Sequence, residues 1–276
     1  MGIIFKNTLK NLFRSLTFWM LSGAVVLGVL DGVRELYFVG GGKDLSSWAF
    51  QSYVQTVSNS LTSALLSFSM PLFAIVNVCL TQNRDYGDHF FEIEKAAGQR
   101  PLPYVFGRFL SLVTVDLLFL VLCHGLYLHP FTALMGGVEG FTLWEYLEDS
   151  TLRMLRIDLL VGAPCLLFFT GITFFFGGWL KSGVASAVGG VGYLLSHTIL
   201  SLFFRWDAPA LYFNYFSPVP HMLQTYFHYY DSPWFESCIG YFQTSAQNAL
   251  LSAAFLLAVT GLCMAVVYLR TRKRST

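Results

Sequence analysis

Six apolar runs dominate this chain, and each is long enough to cross a lipid bilayer as an α-helix. They cover residues 16–38, 57–80, 105–127, 157–180, 184–204 and 246–269. A helical crossing needs about 20 mostly apolar residues. The runs lack the two-residue alternation that a membrane β-barrel requires. The sequence therefore predicts an all-α, polytopic membrane protein with six transmembrane helices in a single domain spanning residues 1–276.

Composition agrees with this prediction. Only 12% of the 276 residues are charged and 55% are hydrophobic, whereas a soluble domain carries roughly 25% charged residues. The formal net charge is +1, so nothing in it predicts a nucleic-acid partner. The five cysteines form no Cys-x-x-Cys pair and no zinc-binding spacing with histidine. We therefore expect no metal site.

The distribution of Lys and Arg predicts the orientation. With six crossings, 12 of the 17 basic residues lie at the two termini, between the second and third runs or at the start of the third (Arg108), or between the fourth and fifth runs. Loops rich in Lys and Arg stay in the cytoplasm. Both termini are therefore predicted to be cytoplasmic, in a multi-pass protein of the plasma membrane.

Residues 1–15 carry the pattern of an amphipathic helix. The apolar members of the pattern are Ile4, Phe5, Leu9, Leu12, Phe13 and Leu16, and the basic members are Lys6, Lys10 and Arg14. An apolar face beside a basic stripe favours a helix that lies in the headgroup layer and contacts membrane lipid. The alternative is a plain basic cytoplasmic tail.

The charged segment 82–107 separates the second and third runs. Asp85 or Asp88 can cap a short helix within it, and Gly98 can end that helix. Pro101 and Pro103 are then expected to prevent helix until the third run begins. The apolar face of the short helix is formed by Phe90, Phe91, Ile93, Ala96 and Ala97. That face could fill a groove on a partner protein, or it could rest against the inner leaflet.

This order of features resembles the permease subunit of type-2 ABC (ATP-binding cassette) exporters over nearly the whole chain. Those proteins have a basic interfacial helix, six spans, and a charged helix marked by Arg-x-x-Gly, a proline and Gly-Lys. The matching residues are Arg84 and Gly87, then Pro101, then Gly107 and Arg108. The chain departs from the pattern at Asn83, where the family often has Glu, and at Arg108, where Lys is usual.

The resemblance implies a noncatalytic subunit that exports a hydrophobic or amphipathic cargo from a bacterial cell: a drug, a lipid-like molecule or an antimicrobial peptide. Segment 88–98 would be the coupling helix that docks on cytoplasmic ABC ATPase subunits. ATP and Mg would be bound by those subunits, and this chain would bind no cofactor. A second permease copy or a paralogue would complete the transporter. The implied ATPase-binding residues are Arg84, Gly87, Asp88, Phe90, Phe91, Glu92 and Glu94.

Ionisable residues within the runs, and aromatic residues between the fifth and sixth runs, are candidates for the substrate path. These are Asp116, His124, His197, Tyr215 and Phe216. An ionisable group inside a membrane costs free energy and should face protein or water. Such groups also hydrogen-bond neighbouring helices, which is a purely structural role. Tyr215 and Phe216 belong to an aromatic exterior segment that could be an interfacial belt or, by the resemblance, lie near an extracellular gate.

Two packing features follow from spacing. Small residues four apart in the fifth run, Ala185 with Gly189 and Ser186 with Gly190, predict close approach to another helix. Asp31 and Arg34 are three residues apart, which predicts a local ion pair.

Other functions are less well supported. An ion-coupled carrier built from repeats would show similarity between its halves, and none is evident. An intramembrane protease would carry one of the known catalytic motifs, and none is present. The Gly-Gly-Gly-Lys at 40–43 lacks the first glycine and the Ser/Thr of a phosphate-binding loop.

Overall fold

The computed structural model describes residues 2–40, 69–89, 92–93, 96, 98, 100–135, 151–203 and 246–272. Several predictions concern positions outside these residues: the first half of the run 57–80, residues 41–43 of the Gly-Gly-Gly-Lys, Phe90, Phe91, Glu94, Tyr215 and Phe216. His124 and His197 are at helical positions, but their side chains lie outside the described part as well.

The described residues form seven α-helices and no β-strand, which confirms the all-α prediction. The helices are α1 (Gly2–Phe13), α2 (Leu16–Gly40), α3 (Met70–Gly87), α4 (Pro101–Met135), α5 (Thr151–Leu180), α6 (Gly183–Phe203) and α7 (Ala246–Arg272).

Three helical segments are long and apolar enough to cross a membrane. They are Pro101–Cys123, Ala163–Leu180 and Ala253–Arg272. Gly2–Phe13 and Leu16–Asp31 would form a fourth if counted together, although a 70° bend separates them. Three to four such helices within the described residues fit a membrane protein. The full count of six crossings remains a prediction.

Three expectations for the segment after α3 are wrong. Asp85 does not cap a following helix, because α3 continues to Gly87. Asp88 is instead the C-cap of α3, with its backbone N–H donating to the carbonyl of Arg84. The third long helix begins at Pro101 rather than at residue 105. A proline is tolerated in a first helical turn, where the backbone N–H groups have no partner within the helix.

The turn after α3 begins at His89, a non-glycine residue with a φ of 55°. Its carbonyl accepts hydrogen bonds from the backbone N–H groups of Glu92 and Ile93. Gly98, predicted to end a short helix here, has a φ of 79°, a left-handed conformation that glycine adopts without strain. Glu92 and Ile93 are exposed.

Helix α1 packs along the bundle through a single row of side chains. Ile4, Thr8 and Leu12, spaced four apart, are buried against α3 and α4. The basic stripe of Lys6, Lys10 and Arg14 is exposed, as its spacing predicted. The predicted apolar face is only partly covered, however, because Phe13 and Leu16 remain exposed.

Two side-chain hydrogen bonds shape the bend between α1 and α2. Ser15 Oγ accepts from the backbone N–H of Phe18 at 3.4 Å, as an N-cap serine does. The indole N–H of Trp19 donates to the carbonyl of Phe13 at 2.7 Å.

Helix α3 is central, contacting α1, α2, α4, α5 and α6. Phe73 of α3 stacks on Phe119 of α4, with ring centroids 4.3 Å apart. The close approach predicted for the small residues is found between α6 and its neighbours. A Cβ added at Gly190 would lie 2.6 Å from Thr173 Oγ1 and 2.8 Å from a methyl of Ile75. Only glycine therefore fits at this crossing.

Candidate functional site

A buried ion pair joins the end of α3 to the beginning of α4. Arg108 donates to Asp85 Oδ1 at 2.6 Å and to the hydroxyl of Thr8 at 2.8 Å. Both charged residues are almost fully buried, with exposures of 1% and 3%. The guanidinium also lies 5.4 Å from the ring centroid of Tyr104. We call Thr8, Asp85, Tyr104 and Arg108 the Arg108 cluster.

The stability of this cluster depends on its being complete. A buried charge is tolerated when it is paired and its remaining hydrogen-bonding groups are satisfied. Asp85 supplies the opposite charge, and Thr8 supplies a hydroxyl acceptor from a different helix. The cluster therefore fastens α1, α3 and α4 at the base of segment 88–100.

Asp116 lies in a second buried polar group, further along α4. Its two carboxylate oxygens accept from the amide of Asn77 at 2.8 Å and from the hydroxyl of Thr170 at 3.1 Å. All three side chains are fully buried. These contacts link α4 to α3 and α5, which agrees with the interhelical role considered for Asp116.

A third polar contact joins α3 to α5 and α6. The Gln82 amide donates to the carbonyl of Phe174 at 2.9 Å, and the hydroxyl of Ser186 hydrogen-bonds Gln82 Oε1. Helix α3 is therefore held to each of α4, α5 and α6 by buried polar side chains.

Four chain segments meet at the end of the bundle that carries the Arg108 cluster. Thr8 brings α1 there. A Cβ added at Gly183 would lie 2.6 Å from the Asn83 Cα, so the turn between α5 and α6 abuts the end of α3. The guanidinium of Arg270 lies 4.3 Å from the ring centroid of Trp179, which brings the end of α7 beside the end of α5.

We call this region the basic end. Among the described residues, its Lys and Arg residues are Lys6, Lys10, Arg14, Arg84, Arg100, Arg108, Lys181, Arg270 and Arg272. The predicted exterior Arg34 belongs instead to the far part of α2, where it pairs with Asp31 at 2.9 Å, as predicted.

The structure brings together some of the predicted site residues. Arg84, Gly87, Asp88 and Glu92 are each exposed, at the end of α3 and just after it, at the basic end. Glu92 lies 3.4 Å from the imidazole of His89. Asp116 is separated from that stretch, within the bundle, and is not exposed.

Sequence reasoning overlooked most of the buried polar partners: Thr8, Asn77, Gln82 and Thr170. A signal for two of these contacts was present. Asn77 and Asp85 are eight residues apart on α3, and Arg108 and Asp116 are eight residues apart on α4. Two consecutive antiparallel helices with equal polar spacings bring both pairs into register, because each spacing spans about 12 Å.

Within the described residues, no three His, Cys, Asp or Glu side chains are grouped so that they could hold a metal ion. Comparison with known proteins gives no further guidance, since no family model matches the chain and no curated protein is significantly similar to it.

Proposed function

We propose that this chain is the membrane-spanning permease subunit of an ATP-driven exporter of the type-2 ABC kind. It crosses the membrane six times, with both termini in the cytoplasm and α1 in the inner headgroup layer. The observation that carries the proposal is the Arg108 cluster at the base of segment 88–100. It fastens α1, α3 and α4 together a few residues before Asp88 and after Arg100, which border the proposed docking segment.

The basic end supports the proposed orientation. Its four segments are the ones that charge counting assigns to the cytoplasm, and here they adjoin one another through side-chain contacts. An odd number of membrane crossings between any two of these segments would place the two on opposite sides of the membrane. The 70° bend between α1 and α2 also suits a helix along the surface followed by a crossing helix.

Many exposed apolar side chains suit contact with lipid. On α4 these include Leu118, Val121 and Leu122, and on α6 they include Val184 and Val188. A soluble protein exposes few such clusters. Part of this surface would contact a second permease copy or a paralogue. A hydrophobic or amphipathic cargo is consistent with the scarcity of charged residues in the apolar segments.

Identifying the proteins that co-purify with the tagged chain tests the proposal. The chain is extracted from native membranes in mild detergent, as wild type and as a Phe90→Ala, Phe91→Ala, Ile93→Ala triple variant. We expect a soluble ATPase to co-purify with the wild type and to be lost from the triple variant. Ile93 is 58% exposed, so its substitution removes an available contact without opening a cavity.

The matched control is Leu118→Ala with Val121→Ala, which removes exposed apolar side chains from the middle of α4. This variant should retain the ATPase. Absence of any ATPase from the wild-type preparation, or equal loss from both variants, would count against the proposed coupling segment.

An ion-coupled carrier is the second candidate, and the full burial of Asp116 is the observation that favours it. Carboxylates within a membrane often bind or relay cations. In this chain both oxygens of Asp116 already accept hydrogen bonds. A carrier would function without a separate ATPase, so the purification distinguishes the two candidates.

A further inference from the structure

A cavity of about 220 Å³ lies where α1, α3 and α4 meet at the basic end. Its lining residues include Arg14, Arg84, Arg108 and Asp85. Arg108 and Asp85 form the buried ion pair described above. The three arginines and one aspartate of the lining have a formal charge of +2, and Arg14 and Arg84 are exposed.

The remaining lining suits a phosphate ester better than a bare anion. Asn11 and Ser15 add polar groups, and Leu12 and Leu80 add an apolar wall. Guanidinium groups bind phosphate oxygens in a bidentate manner, which explains why Arg is favoured at such sites. The cavity is several times the ~30 Å³ that one water molecule takes in the liquid. A phosphate with an attached glycerol would place its oxygens near the arginines.

Neighbouring residues match the depth of lipid headgroups. The cavity adjoins the bend between α1 and α2, where Leu16 is 73% exposed and Trp19 is 56% exposed. Tryptophan favours the membrane interface, because its ring is apolar and its N–H is polar. Basic pockets between helices on the cytoplasmic side of a membrane are recognised sites for anionic headgroups.

We propose that this cavity binds a glycerol-linked phosphate, the headgroup chemistry of an anionic phospholipid such as phosphatidylglycerol. The inference rests on the membrane placement in the proposed function. It does not depend on an ATPase partner, so failure to co-purify an ATPase leaves it intact. A bound lipid would bridge α1 to the α3–α4 pair and hold the interfacial helix against the bundle.

The test is saturation binding of phosphatidylglycerol to the purified full-length chain in neutral detergent, measured by native mass spectrometry against phosphatidylcholine. Arg14→Gln with Arg84→Gln should weaken binding on the order of 30-fold, since each charge contributes about fivefold. Lys6→Gln with Lys10→Gln removes two exposed charges from α1 outside the cavity and should change binding less than about threefold.

A third variant tests the space in the cavity independently of the charge of its lining. Asn11→Phe fills the space without altering the net charge, and it should abolish saturable binding. Thermal unfolding of each variant confirms that it is folded. Inorganic phosphate and glycerol 3-phosphate are then added as competitors. If either competitor displaces the lipid, and the same variants weaken the binding of that competitor, the phosphate site is supported. The natural ligand would then be a soluble phosphate compound.

Two results would overturn the proposal. The first is equal weakening by the two double variants, which would mean diffuse attraction between charges. The second is equal binding of phosphatidylglycerol and phosphatidylcholine to the wild type, which would mean that the net negative charge of the headgroup, which phosphatidylcholine lacks, is not recognised.

Discussion

Arg108 is a charged residue held inside a helix bundle, and its surroundings explain how. Asp85 neutralises it, Thr8 accepts a second hydrogen bond, and the ring of Tyr104 lies beside it. Loss of one partner of a buried ion pair leaves an uncompensated charge, whereas loss of both partners leaves none. Removing Asp85 alone should therefore destabilise the chain more than removing Asp85 and Arg108 together.

We predict that Asp85→Ala destabilises the chain by about 3–5 kcal/mol. Arg108→Met should also be destabilising, while the double variant should be more stable than Asp85→Ala alone. Thermal unfolding of the detergent-purified proteins measures each effect. Strictly additive losses in the double variant would mean that the two side chains are not coupled.

Substitution of Asp116 should cost less stability than loss of Asp85, because the hydrogen-bond partners of Asp116 are neutral side chains. Asp116→Asn keeps one acceptor oxygen and the side-chain shape, so we expect it to unfold near the wild-type temperature. Asp116→Leu leaves the Asn77 amide without its acceptor, while the Thr170 hydroxyl still donates to the carbonyl of Leu166, and should cost about 1–3 kcal/mol.

Transport assays with the same variants give a second readout. If Asp116 has only the interhelical role, Asp116→Asn should retain ATP-dependent export. Loss of export in a variant that unfolds normally would instead favour the ion-coupled carrier, because it would show a requirement for the carboxylate itself.

At the scale of helices, the closest packing is between α6 and its neighbours. Gly190→Ala would place a Cβ 2.6 Å from Thr173 Oγ1, so α6 or α5 must shift. Gly192→Ala is the matched control, because a Cβ there meets nothing within 4 Å. We predict that Gly190→Ala lowers the unfolding temperature and that Gly192→Ala does not. Equal effects would contradict the close crossing.

Much of the helical layout could be predicted from the sequence, because long apolar runs and small-residue spacings act locally. The starts and ends were harder to predict. A proline near the start of a run predicts a barrier to helix, yet Pro101 occupies the first turn of α4, where proline is accommodated. The local pattern predicts Asp85 as a cap, and it does not show the partner, Arg108, which is 23 residues away in the chain.

The contacts that Gln82 of α3 makes with α5 and α6 could not have been predicted from local sequence patterns. Gln82 reaches the carbonyl of Phe174 and the hydroxyl of Ser186, roughly 100 residues along the chain. No local pattern encodes which distant helix will lie beside α3. The α3–α4 register is different, because the equal spacings of Asn77 to Asp85 and Arg108 to Asp116 are visible in the sequence.

At the scale of the whole molecule, the charge pattern and the helix packing identify the same region, the basic end. Charge counting groups its segments on one side of the membrane, and the helix contacts group the same segments at one end of the bundle. The proposed docking segment and the proposed lipid site both belong to this end. The central claim is therefore that the basic end faces the cytoplasm.

Side-specific cysteine labelling tests that claim most directly. In a background without the native cysteines, single substitutions are made at exposed positions in the four segments: Lys6→Cys, Glu92→Cys, Lys181→Cys and Arg272→Cys. Arg34→Cys, also exposed, represents the opposite side. A membrane-impermeant maleimide is applied to intact cells and to inside-out vesicles.

We predict that all four basic-end cysteines react only in inside-out vesicles and that Arg34→Cys reacts only in intact cells. Labelling of any basic-end cysteine from outside the cell, or division of the four between the two sides, would contradict the account.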